Sequence, residues 1–154
     1  MAARFKTAET LGITQKQKDA LVKTLRLLEG GKAKHVDPPP IAIDCERKRR
    51  YSFDGLFNMR VWKKKTDCGT VACIGGTAEL VGGVKFTDVT MNDNLELAKL
   101  FYPHSGGLPF SAITVKQAAK ALRNYLAVGA PLWEKVLRSA VKRAKDREVA
   151  PTRF

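Results

Sequence analysis

Apolar residues recur with a helical period in several parts of the chain, separated by stretches where the pattern turns extended or breaks. After Thr14-Gln15-Lys16-Gln17, the side chains Leu21, Leu25 and Leu28 fall on one face with Val22 beside them, and Lys16, Lys18, Lys23 and Arg26 are left to water. The Thr-x-x-Gln spacing predicts a capping box, in which the threonine and glutamine side chains satisfy free N–H groups at the helix start. Gly30-Gly31 supplies a left-handed stop. A second Thr-x-x-Gln box at Thr114–Gln117 opens a helix carrying Val115, Ala118, Ala119, Leu122, Tyr125 and Leu126, ended by Gly129. Pro131 suits the opening of a last helix with Trp133, Val136, Leu137, Ala140 and Val141.

The middle of the chain is less regular. Residues 70–81 predict a helix of small residues stopped at Gly82-Gly83, and Asn92 can cap a helix through Leu95, Leu97, Ala98, Leu100 and Phe101, broken by Pro103. A short helix is expected around Phe53, Leu56, Phe57, Met59 and Trp62, and VKFTDVTM alternates as a brief extended segment. In HVDPPPIAIDCERKRR, three consecutive prolines forbid a helix and favour polyproline. Residues 32–50 therefore predict a proline-rich basic loop or arm, with Ile41-Ala42-Ile43 as a short strand or an extended anchor. The expected fold is mainly α: one domain over residues 1–154, about five helices and one short β-hairpin, with residues 146–154 a frayed tail.

Composition supports a folded chain, with 44% hydrophobic and 28% charged residues. No apolar run reaches the roughly 18 residues a membrane-crossing helix needs. MAARFKTAETLG lacks the apolar segment of a secretory signal, so a cytoplasmic protein is expected. Three cysteines, an odd number, then argue for reduced thiols over a disulfide framework.

Charge changes the picture more. The net charge is +13, and it is unevenly spread. Residues 46–65 hold eight basic side chains (Arg47, Lys48, Arg49, Arg50, Arg60, Lys63, Lys64, Lys65) against two acidic ones, whereas residues 66–114 hold two against five. Tyr51, Phe53 and Trp62 lie among the two basic runs. Cations interleaved with aromatics suit phosphate contacts plus base stacking. They equally suit an acidic protein face, and the rings equally suit a core. The expected binding set is Arg47, Lys48, Arg49, Arg50, Arg60, Trp62, Lys63, Lys64 and Lys65, with nucleic acid or a ribonucleoprotein as partner.

The stretch CGTVACIGGTA, residues 68–78, is the most distinctive. Cys68 at a helix start would have a lowered pKa, and a base would have to be His35 or His104, the two histidines present. Cys45, Cys68, Cys73 and a histidine would make a zinc set, but the four-residue gap between Cys68 and Cys73 is at the wide edge of ligand spacing and no second pair exists. Packing is the stronger reading. Gly75 and Gly76 each cost a helix about 1 kcal/mol against alanine, which makes sense where a neighbour must come close. Cys68, Gly69, Thr70, Cys73, Gly75 and Gly76 are therefore expected to be structural, with no catalytic residue, no metal and no cofactor assigned.

FNMRVWKKKTDCGTVACIGGTAELV, with LELAKLFYP and ITVKQAAKALRNYL after it, resembles a group of small uncharacterised proteins of bacteria and their phages. Their pattern has Met-x-x-Trp, then Cys-Gly-Thr-x-x-Cys-Ile-x-Gly-x-Ala. Met59 and Trp62, Cys68-Gly69-Thr70, Cys73-Ile74, Gly76 and Ala78 match it, and Thr77 stands where those proteins usually have tryptophan. The resemblance covers roughly residues 53–127 and implies a small helical domain in a bacterium or a phage-infected cell. It carries no activity. The leading expectation is a non-enzymatic basic binding protein, a phage-borne modulator of a host system. The alternatives are a module docking on an acidic protein surface and an enzyme using Cys68.

Overall fold

The computed structural model describes residues 4–36, 51–66, 69–86 and 93–149. Within them the chain is predominantly helical, with six α-helices and a small four-stranded mixed sheet. The helices are α1 (Ala8–Leu11), α2 (Gln15–Glu29), α3 (Ile74–Gly82), α4 (Leu95–Phe101), α5 (Val115–Val128) and α6 (Trp133–Val149). The strands are β1 (Lys34–His35), β2 (Leu56–Phe57), β3 (Lys63–Thr66) and β4 (Gly69–Ala72), in the order β1-β2-β4-β3.

Both capping boxes form. The Thr14 hydroxyl accepts from the Gln17 N–H at 3.1 Å while Gln17 Oε1 accepts from the Thr14 N–H at 2.9 Å, and Thr114 and Gln117 repeat the arrangement. Gln17 has a further duty, because its Nε2 donates to the Lys85 carbonyl at 3.0 Å and so ties the start of α2 to the chain leaving α3. Helix α2 packs against both α3 and α5, and α5 receives α4 and α6 on its other sides. Leu21, Leu25, Ile74, Leu100, Leu122, Leu126 and Leu137 meet in one buried cluster that draws on all six helices and β2.

The middle of the chain departs from its sequence pattern. Residues 70–81 are not one helix: Gly69–Ala72 is a strand, and α3 begins only at Ile74, with Cys73 as its N-cap. Strand β4 pairs in parallel with β2 and antiparallel with β3, so Val71 and Ala72 are buried by a sheet where small size had suggested a helix. The expected short helix around 53–62 is instead strand β2 followed by a turn. That turn is organised by buried Asn58, whose Oδ1 accepts from the Arg60 N–H at 2.9 Å and whose Nδ2 donates to the Val36 carbonyl at 2.7 Å. The cap of α4 is Asn94, which also donates to the Leu11 and Gly12 carbonyls. Helix α6 continues to Val149, into the stretch expected to fray. The polyproline arm and its Ile41-Ala42-Ile43 anchor, apart from residues 32–36, lie outside the described residues, as do the second half of VKFTDVTM and residues 150–154.

Two glycines of α3 lie where the hairpin crosses it. A Cβ on Gly75 would enter the Trp62 indole, and one on Gly76 would strike the Trp62 carbonyl. The indole can shift, but a backbone carbonyl held at the root of the hairpin by the Cys73 N–H cannot. Gly83 differs: its φ of +60° needs glycine for conformation, while nothing lies within 4 Å of an added Cβ. Gly76→Ala should lower unfolding free energy by about 3 kcal/mol and Gly83→Ala by about 1 kcal/mol, as read by urea denaturation.

Candidate nucleic-acid interface

Strand β3 is KKKT, and it forms an edge of the sheet. Its pairing runs Lys63 to Ala72, Lys64 to Val71, Lys65 to Thr70 and Thr66 to Gly69, which closes a tight hairpin. Side chains alternate across a strand, so Lys63 and Lys65 share one face and Lys64 takes the other. Tyr51, 46% exposed, lies on the first face, with the Lys63 ammonium 5.3 Å and the Lys65 ammonium 4.8 Å from its ring centroid. These are cation–π distances, and they hold two flexible cations on one ring. Arg60 and Lys64 are exposed. Among the described residues, Lys63 is the one member of this cluster with an acidic partner.

That partner is Glu79, in the middle of α3 and only 8% exposed. Its Oε1 accepts from Trp62 Nε1 at 2.8 Å and from Lys63 Nζ at 3.3 Å, and its Oε2 accepts from the Phe86 N–H at 2.9 Å. A carboxylate this buried needs such partners, because an unpaired charge there would carry its full desolvation cost. Glu79 thus ties β3, α3 and the chain beyond α3 together. Asp54 makes a similar tie at the other end of the hairpin. It accepts from the Thr70 N–H at 2.6 Å and from the Ser52 hydroxyl at 3.0 Å, anchoring the segment that carries Tyr51.

Trp62 is half-buried and engaged on several sides. Its ring meets Phe101 edge-on with centroids 5.1 Å apart, and it stacks near-parallel to Tyr102 at 6.5 Å with 14° between planes. Of the expected binding set, the structure therefore gathers Arg60, Trp62, Lys63, Lys64 and Lys65 at the root and edge of one hairpin. Arg47, Lys48, Arg49 and Arg50 lie outside the described residues, and so do Cys45 and Cys68. Glu79 was not singled out from sequence. A lone glutamate amid small apolar residues was its signal, since a charge on an otherwise buried helix must have a partner.

In the CGTVACIGGTA stretch, Gly69 and Thr70 belong to β4 and Cys73 is the helix cap. The Cys73 N–H donates to the Trp62 carbonyl at 3.3 Å, and its Sγ accepts from the Gly76 N–H at 3.5 Å. Burial is the main force on this thiol and pushes its pKa from an ordinary 9.0 up to about 11, against smaller lowering by backbone N–H groups. A thiol in that state is no nucleophile at neutral pH. His35 is occupied, with Nε2 2.8 Å from the Ser111 carbonyl, and His104 is exposed. Among the described residues no three of His, Cys, Asp or Glu come together as a metal site. Two grooves, of about 600 and 420 Å³, run along α6 and share His104, Glu134 and Arg138. Both are lined by cations and carboxylates together, and neither holds a cysteine. Among the described residues no helix is long and apolar enough to cross a membrane. Comparison with known protein families, with curated proteins and with solved structures returned no match.

The raised Cys73 pKa has a stability consequence. Between pH 9 and 11 the unfolded thiol has lost its proton while the folded one keeps it, so the folded state binds more protons and stability falls as pH rises. Across that window the loss from this group is about 2 kcal/mol. Cys73→Ser keeps a side-chain cap and removes the titration. Its stability, followed by chemical denaturation across that range, should fall less steeply than that of the unsubstituted protein.

Proposed function

We propose that this protein is a non-enzymatic binding protein that holds nucleic acid, free or in a ribonucleoprotein, by its phosphate backbone through the β3–β4 hairpin. The observation that carries the reading is the cluster of Arg60, Lys64 and Lys65, which have no acidic partner among the described residues, on a hairpin locked to the body by Glu79. Lysines on an edge strand also discourage edge-to-edge pairing. Here three occur in a row, with an arginine at the root and a chain excess of +13. The resemblance of the 59–78 motif adds a bacterial or phage-infected cytoplasm as the setting, with modulation of a host system as the role.

Backbone binding of this kind releases counterions, so affinity must fall steeply with salt. The triple substitution of Arg60, Lys64 and Lys65 to Gln spares Lys63, whose partner is buried, and should leave the melting temperature within a few degrees. Its log-affinity against log-salt slope for a labelled oligonucleotide should be shallower by about two to three units, three contacts at 0.7–0.9 each. An unchanged slope would remove the hairpin from the interface. If neither single strand nor duplex binds at low salt, docking on an acidic protein face takes over as the reading.

A further inference from the structure

Two tyrosines stand out on the surface beside the lysine strand. Tyr51 is 46% exposed and Tyr102 49% exposed, and both belong to an unbroken series of contacts. Tyr51 meets the Lys63 ammonium, Lys63 meets Glu79, Glu79 meets the Trp62 N–H, and the Trp62 ring meets Tyr102. The two rings end that series, with Lys63 between them.

Tyr102 is the more telling of the two. Its ring lies near-parallel to Trp62, offset, with half its surface in water. Trp62 in turn is fixed by the Glu79 hydrogen bond, by the edge of Phe101, and by the absence of a side chain at Gly75. Phe101 is itself braced by Phe86 at 5.1 Å. The result is an exposed aromatic face on a rigid backing, which loses little rotamer freedom when something stacks on it. Tyr51 offers a second face on the far side of Lys63, where the Lys63 and Lys65 ammonium groups already lie.

Rings on a cationic track serve one kind of nucleic acid. In a duplex the base faces are covered by their neighbours and only base edges, sugars and phosphates are presented, so exposed rings find no base face to stack on. In a single strand the bases swing out and stack on aromatic side chains while the phosphates follow the cations. Building on the nucleic-acid reading above, we infer that the ligand is single-stranded, with Tyr102 and Tyr51 as base-stacking platforms and Arg60 and Lys65 on its phosphates. The readout is sequence-tolerant, because every base has a stackable face.

Fluorescence anisotropy with labelled oligo-dT, oligo-U and a DNA duplex of equal length tests this. Unsubstituted protein should bind a single strand more tightly than the duplex, and the two homopolymer arms tell whether DNA or RNA is preferred. Tyr102→Ala should weaken single-strand binding about tenfold and change duplex binding less than about twofold, while Tyr102→Phe keeps full affinity. Equal losses on strand and duplex, tighter duplex binding, or no loss with Tyr102→Ala would overturn the stacking assignment. Should Tyr102→Ala fail to fold, titration of the unsubstituted protein with oligo-dT decides instead. Quenching of Trp62 emission is then expected, and unchanged emission overturns the inference. Absence of binding to strand and duplex alike would instead remove the nucleic-acid reading beneath it, so the two failures are distinct.

Discussion

A single buried carboxylate organises the part of this molecule that faces outward. Glu79 sits inside α3 and receives hydrogen bonds from the Trp62 indole, the Lys63 ammonium and the Phe86 backbone N–H. The partners come from two segments, the neighbouring Trp62 and Lys63 at the start of the hairpin and Phe86 beyond α3. An indole N–H buried without an acceptor is costly, and so is a carboxylate without donors. The consequence is that β3 can cross α3 in only one place, with Trp62 over Gly75 and its carbonyl over Gly76.

From that crossing the rest follows. The Trp62 carbonyl, held over α3, accepts the Cys73 N–H, which sets where the strand β4 stops and the helix starts. Cys73 then does two things at once, capping α3 with its sulfur and filling the seam as a small buried side chain. Beyond Trp62 the chain must leave the core, and the residues that do so are three lysines. The same lock that buries one of their neighbours therefore presents Lys64 and Lys65 on a strand with a fixed direction. A cation on a braced hairpin keeps its position better than one on a free loop, and preorganised charge binds at lower entropic cost.

Much of the helical frame was legible in the sequence, since both Thr-x-x-Gln boxes, the leucine face of α2 and the α5–α6 pair depend on local spacing that the tertiary structure leaves alone. The sheet was not. Strands of two to four residues are too short for alternation to show, and Val71 and Ala72 are buried on both faces, so nothing polar marks a period. Residues 70–81 read as one helix because no proline interrupts them before Gly82-Gly83, and the strand-to-helix switch at Cys73 is imposed by pairing of β4 with β2 and β3, which composition does not announce. The basic run was visible as charge, and its placement on an edge strand was not. Glu79 was hidden for the same reason, because its meaning lies in partners 16 and 17 residues away.

The direct test of this arrangement is a double-mutant cycle between Trp62→Phe and Glu79→Gln, with unfolding free energies measured by urea denaturation. Phe removes the indole N–H and keeps a ring over Gly75, while Gln removes the charge at nearly constant volume. If the carboxylate locks the hairpin through the indole, the two changes should be strongly non-additive, with a coupling of about 1–2 kcal/mol. Additive losses, with coupling near zero, would mean that the hairpin is held by packing alone and that Glu79 does not organise it.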